Sequence, residues 1–303
     1  MSEFPFLVRL GKGDILVADG ATGTNLQQRG LKHGTPAEAW LFEKPEQIID
    51  LHMDFLQAGA DILLTCTFGA SPLRLEAGGM GGQVLEVNLR AVELARQAIA
   101  HWRQDEPPGG REVYVAGSIG PSGGLLKPYG VLNEEDVYAS FTEQAGALSQ
   151  AGVDLLVIET QFDLAEASLA LNAARAASDL PVVVSFSYDR GTRTMMGVNP
   201  VKMAAEFTSL GADVLGINCG RSLDDNLKAL QELHGVTSLP IWFKPNAGLP
   251  RSDSQGNSIY DLSPEQMGAG VPEWLDAGAR VVGGCCGTSP EHLAQIARMA
   301  KAG

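Results

Sequence analysis

Ala151-Gly152-Val153-Asp154-Leu155-Leu156-Val157-Ile158-Glu159-Thr160 decides the fold. A helical pattern running from Glu134 to Gln150 stops at a glycine, and an unbroken apolar run follows at once. Glycine takes the left-handed conformation that ends a helix. A continuous Leu/Val/Ile run suits a strand buried on both faces, as in a parallel sheet. The run then ends on a carboxylate, at the position where such sheets carry their functional groups. The same punctuation recurs in Ala58-Gly59-Ala60-Asp61 and Leu210-Gly211-Ala212-Asp213, and with Arg in place of Asp in Ala277-Gly278-Ala279-Arg280.

Outward from these segments the chain reads as eight strand–helix units. The apolar runs are Asp14 to Ala18, Ile62 to Thr65, Val113 to Ala116, Leu155 to Ile158, Val182 to Phe186, Val214 to Ile217, Ile241 to Phe243 and Arg280 to Val282. Amphipathic helical patterns separate them, among them Pro45 to Ala58, Gln83 to His101, Asp163 to Ala177 and Pro290 to Lys301. Eight units are the count that closes a barrel, so the expectation is an α/β fold, a single-domain (β/α)8 TIM barrel over residues 1–303. A doubly wound open sheet is the alternative. Two polar loops, Gln104 to Gly110 and Arg251 to Ser258, interrupt the pattern; the second reads as a solvated loop or as a lid over the active face.

A net charge of −14 argues against nucleic acid and anionic membrane as partners. No apolar run is long enough to span a bilayer, and the N-terminus has no basic-then-apolar leader pattern. The expected compartment is the cytoplasm, where four cysteines are free, catalytic or metal-bound rather than paired.

Three of those cysteines end strands. Cys219 closes Gly216-Ile217-Asn218-Cys219-Gly220, and Cys285 and Cys286 sit in Gly283-Gly284-Cys285-Cys286-Gly287-Thr288. In a barrel both ends open on one face. Three thiolates on Zn²⁺ leave a fourth tetrahedral position open, the arrangement of a catalytic site. Adjacent cysteines cannot both face inward from a regular strand, but flanking glycines permit an irregular turn. Spacing alone leaves this reading level with the other one, in which the thiols are small buried hydrophobes. The five histidines lie on loops or helical patterns and read as structural or solvated, and the glycine-rich Gly78 to Gly82 lacks phosphate-loop form.

These cysteine segments, together with Asp19-Gly20-Ala21-Thr22-Gly23-Thr24, Gly120-Pro121-Ser122-Gly123, Ile158-Glu159-Thr160 with Asp163, and Lys244-Pro245-Asn246-Ala247-Gly248, resemble the homocysteine S-methyltransferase family. The resemblance runs from about Asp14 to Ala300. It implies a (β/α)8 barrel that uses Zn²⁺ on Cys219, Cys285 and Cys286 to transfer a methyl group to homocysteine, giving methionine. It further implies that Asp19 and Glu159 receive the substrate ammonium, that the Gly20 and Ala21 amides hold its carboxylate, and that Thr65 contacts the substrate. Asn246 is implied as a resting ligand in the open zinc position.

The chemistry is coherent with that assignment. A free thiol is mostly protonated at neutral pH, and metal binding ionises it. Cys66 departs from the family pattern, which carries Asn or an aromatic there; it reads as packing or as a donor-side change. The methyl donor is expected to be a methylcorrinoid protein acting in trans, because the loop motifs look closer to the methionine synthase module. S-methylmethionine, S-adenosylmethionine and a betaine are the alternatives. From other functional classes, the chain reads as a non-catalytic thiol- or zinc-binding sensor barrel, or as a metal-dependent hydrolase, which an all-thiolate ligand set disfavours.

Overall fold

The computed structural model describes residues 4–104, 106, 110–249, 251, 252 and 258–302. Eight parallel strands follow one another round a barrel: β1 Leu16–Val17, β2 Ile62–Leu64, β3 Tyr114–Ile119, β4 Leu155–Gln161, β5 Val182–Phe186, β6 Val214–Cys219, β7 Ile241–Pro245 and β8 Ala279–Val282. Each pairs with its neighbours in sequence, β8 pairs with β1, and a parallel bridge between Ala18 and Ile62 joins β1 to β2. This is the (β/α)8 barrel expected from the eight runs. Helices expected from the apolar periodicity appear within a residue or two of their anticipated ends, as Pro45–Gln57, Val84–Trp102 and Glu134–Ala151. Short helices at Pro5–Gly11, Thr22–Gln28 and Pro72–Ala77 were not expected, since seven residues or fewer give too little periodicity to read.

The punctuation does what its residues dictate. Gly59, Gly152, Gly211 and Gly278 take φ of +110°, +83°, +82° and +97°, a region costly for any residue with a Cβ. The aspartates beside them have a second role. Asp61, Asp154 and Asp213 each accept the backbone N–H of a valine on the preceding strand: Val17 at 2.9 Å, Val115 at 2.6 Å and Val182 at 2.8 Å. Each aspartate N–H donates back to the carbonyl of the same valine. Three alternate seams of the barrel floor are thus tied by charge-assisted bonds, and each carboxylate has a cation beside it: Lys301, Arg96 and Arg175.

Two cores result. One is the shell between strands and helices. The other fills the barrel, where Leu16, Ile62, Tyr114, Leu155, Val214 and Trp242 pack above Phe6 and Leu10 of the N-terminal helix. Phe6 meets the Tyr114 ring edge-on at 5.9 Å, closing the floor. Side chains alternate along a strand, so the inward phase can be followed upward. On β3 it runs Tyr114, Ala116, Ser118; on β4 Leu155, Val157, Glu159; on β6 Val214, Gly216, Asn218; on β7 Trp242, Lys244. The interior therefore changes from apolar to polar toward the C-terminal end of the strands. Gly216 lets its neighbours pack closely, since a Cβ there would stand 3.0 Å from the Ser185 side chain and 3.1 Å from the Trp242 Cβ.

The Arg251 to Ser258 loop begins and ends as a small antiparallel hairpin, Arg251–Ser252 with Ser258–Ile259. Residues 253–257 lie outside the described residues, as do 105 and 107–109 of the Gln104 to Gly110 loop. Among the described residues no helix is long and apolar enough to cross a membrane.

Candidate metal centre and substrate pocket

The three strand-end cysteines converge. Cys219 Sγ lies 2.8 Å from Cys285 Sγ and 4.0 Å from Cys286 Sγ, and all three sulfurs fall within 4.8 Å of one another. Thiolates about 2.3 Å from one tetrahedral zinc would sit about 3.8 Å apart, so the donor set fits the metal with small adjustment. The adjacent-cysteine problem is solved by leaving the strand. β8 ends at Val282, and the next residues form a turn held by the Cys285 N–H to Pro245 O (2.8 Å) and the Ala247 N–H to Cys286 O (3.0 Å). Gly283 is required by closeness rather than by torsion: a Cβ there would meet Ala18 O at 2.6 Å.

Cys219 reaches the cluster by a different device. Alternation would turn it away from the interior, because Asn218 before it faces in. A left-handed φ of +57° reverses its direction. Thr160, which follows inward-facing Glu159 on β4, has the same distortion at φ +60°. Non-glycine residues in this region store strain and mark functional sites. The strain is held by Asn218, whose Oδ1 accepts the Thr160 N–H (2.9 Å) and the Ser185 hydroxyl (2.7 Å), and whose Nδ2 donates to Thr160 Oγ1 (2.7 Å).

The thiols share their protons unequally. Hydrogen bonds from Cys219 and Cys285 hold Cys286 well below the ordinary thiol range. Cys219 is pushed well above it by its bonds to Cys285 and Cys286 and by burial. Mutual repulsion of three thiolates is what a dication would relieve. Asn246 stands beside the cluster with its Nδ2 bonded to Gly220 O at 2.8 Å and its Oδ1 buried without a partner.

A cavity of about 740 Å³ opens beside the thiols at the C-terminal mouth. Gly20, Ala21, Thr65, Cys66, Glu159 and all three cysteines line it, as do Ser118 and Tyr260, which the sequence does not single out, and Lys244, which it marks only as part of a motif. Ser118, Asn218 and Lys244 were legible in principle: each is the next inward position above an apolar one. Glu159 accepts from the Ser118 hydroxyl at 2.6 Å, and burial pushes its carboxyl up to about 7 despite the favourable field of Lys244. Thr65 Oγ1 shares a 2.6 Å hydrogen bond with Thr67 Oγ1 and accepts the Ser118 N–H.

Two of the expected contacts are already engaged. Asp19 accepts from Lys244 Nζ at 2.6 Å and from the Leu64 N–H at 2.8 Å, so both its oxygens have partners within the protein. The Ala21 N–H donates to Thr288 O at 3.1 Å. Burial would neutralise Lys244, but the Asp19 and Glu159 carboxylates outweigh it and hold the group as an ammonium. Cys66 is buried, and burial raises its thiol well above the ordinary range, so it stays protonated. Among the histidines, His52 lies in the core and His292 accepts the Ser289 N–H at the start of the last helix.

Residues 16–300 match the model of the homocysteine S-methyltransferase family. The chain belongs to that family. A homocysteine S-methyltransferase of Escherichia coli (strain K12) is 34% identical, over 96% of this chain and 97% of its own length. A methionine synthase of Mycobacterium leprae is 28% identical over 93% of this chain, which spans 24% of that protein. The crystal structure of the homocysteine methyltransferase MmuM from Escherichia coli in its metallated form superposes with a TM-score of 0.82 at 31% identity, covering 96% of this chain and 98% of that one. This family member is accordingly an enzyme whose acceptor is the homocysteine thiol.

Proposed function

We propose that the enzyme methylates homocysteine at a Zn²⁺ held by Cys219, Cys285 and Cys286. The convergence of three sulfurs from β6 and from the turn after β8 carries the reading. Bound there, the metal supplies the positive charge that keeps a substrate thiol ionised at neutral pH. The protein's own groups do the rest. Glu159 receives the substrate ammonium on the oxygen that Ser118 leaves open, with Asp19 setting the field behind it. Gly20 and Thr65 line the cavity beside it. Asn246 Oδ1, buried without a partner, suits the open metal position before the thiol arrives. The methyl group passes to the acceptor sulfur, and the donor leaves with the electron pair of the broken bond.

The donor approaches through the open mouth. Six of the eleven exposed large hydrophobic side chains among the described residues (Phe68, Tyr129, Val131, Met195, Leu249 and Ile259) sit on loops that follow strands, round that mouth. An apolar rim favours a macromolecular donor, and a methylcorrinoid carried by a separate protein fits it. A second reading has its own support. The cavity wall includes the buried carboxylate of Glu38, and a full-length relative is named simply as a homocysteine S-methyltransferase; both suit a small cationic sulfonium such as S-methylmethionine. Turnover of zinc-loaded enzyme with methylcobalamin and with S-methylmethionine, each with homocysteine, separates them. Methionine formed only from S-methylmethionine removes the corrinoid reading; homocysteine bound with no methionine from any donor leaves a sensor.

A further inference from the structure

Lys244 stands on the wall of the substrate cavity with its side chain only 3% exposed. Its Nζ donates to Asp19 Oδ1 at 2.6 Å, and the Trp242 ring centroid lies 5.9 Å away. An ammonium has three donors, and the other two have no acceptor among the described residues. A buried charged donor left without an acceptor is destabilising, so a site that keeps one has a use for it.

The same wall holds a matching acceptor. Glu159 Oε1 is bonded to Ser118, whereas Oε2 has only a long contact of 3.5 Å from Asn218. One open anion and one half-open cation, both deep in one cavity beside the thiols, present the complement of an α-amino acid zwitterion. The Ala21 N–H is engaged by Thr288 O and is not available to an anion. The other cation on the cavity wall, Arg74, packs against Gly123 in the loop after β3.

We propose that Lys244 is the receptor for the substrate carboxylate, its two open N–H donors filled by carboxylate oxygens while Glu159 takes the ammonium. Lys244 thereby determines specificity: thiols lacking the carboxylate leave its donors empty and are rejected. The inference rests on the homocysteine reading above.

The test is calorimetric binding of L-homocysteine and of 3-aminopropane-1-thiol, which lacks only the carboxylate, to zinc-loaded enzyme. Lys244→Met is compared with wild type. Asp19→Asn/Lys244→Met, which removes both charges of the pair together, guards against misfolding of the single variant. Wild type is expected to prefer homocysteine by about 10- to 100-fold, the loss typical of one hydrogen bond to a buried charge. In the folded variants that preference collapses toward parity, because homocysteine loses far more affinity than the amine does. A folded variant that keeps the wild-type preference overturns the proposal, as does a wild type that binds both thiols equally. A wild type that binds neither thiol overturns the homocysteine reading and this inference with it.

Discussion

Asn218 holds Thr160 at both its backbone and its side chain, accepting the Thr160 N–H at 2.9 Å and donating to its hydroxyl at 2.7 Å. The two residues bracket the site, since Glu159 precedes Thr160 and Cys219 follows Asn218. One amide side chain thus couples the ammonium receptor on β4 to the first thiol on β6. It does so while fixing a threonine at a φ that a β-branched residue rarely takes.

Asn218→Ala should remove this link. The Thr160 N–H and the Ser185 hydroxyl lose their acceptor inside the barrel, at a cost of about 1–3 kcal/mol. Denaturant unfolding would register that loss. Homocysteine affinity, followed by calorimetry, should fall with it, because Glu159 and Cys219 are no longer held in register.

Elemental analysis should find about one zinc per chain. Cys219→Ser and Cys285→Ser should each lose it, and methionine formation should cease. The far-ultraviolet circular dichroism should be preserved, because the two cores of the barrel do not include the three thiols. A wild type that takes up no zinc under reducing conditions would remove the proposed mechanism.

Glu159 titrates near neutrality, at about 7, chiefly because it is buried. Only its ionised form attracts an ammonium. Binding of L-methionine, which has no thiol to confuse the titration, should therefore weaken as pH falls below about 7. Glu159→Gln should bind more weakly and lose this pH dependence between pH 6 and 8, about one unit either side of that value. An unchanged profile in the variant would assign the titration to another group.

His52 is buried in the Pro45–Gln57 helix, and neither ring nitrogen has a hydrogen-bond partner. Burial lowers its pKa from 6.5 to about 4, so the fold favours the neutral ring. The unfolded chain takes up a proton at the higher value. Stability is therefore whole above about pH 6.5 and declines by roughly 3 kcal/mol as pH falls from there toward 4. His52→Leu should flatten that acid limb in melts at pH 5 against pH 7.

The barrel was legible because its signal is repeated and local. Four glycine-ended helices run straight into apolar segments, and eight apolar runs alternating with helical patterns leave few architectures. The thiol cluster was half legible: strand-end positions put the sulfurs on one face, but a pair of adjacent cysteines could be brought together only by a turn that no periodicity describes. Alternation could place Asn218, Ser118 and Lys244 inside the barrel, but not name their partners, which lie across the barrel rather than along it. Nothing near Lys244 in sequence announces Asp19, 225 positions away, as its partner. The left-handed Cys219 and Thr160 were illegible for a related reason, since neither residue type suggests positive φ and the amide that compels it in Thr160 sits on another strand.

The aspartate ties on the floor join β1 to β2, β3 to β4 and β5 to β6, and they stop there. The fourth seam has Arg280 in the equivalent place, donating to Ala279 O and to no other acceptor among the described residues, and the β7–β8 ladder slips register between Ala279 and Val281. One quarter of the ring is thus left unlaced at its base, and it is the quarter that carries Lys244 and two of the three thiols at its top. A metal gripping Cys219 on one side of β7 and the Cys285–Cys286 turn on the other would cinch that quarter from above. The ion then becomes the missing fourth stitch. Its removal should leave the first three pairs intact and quicken amide exchange in β7 and β8 alone.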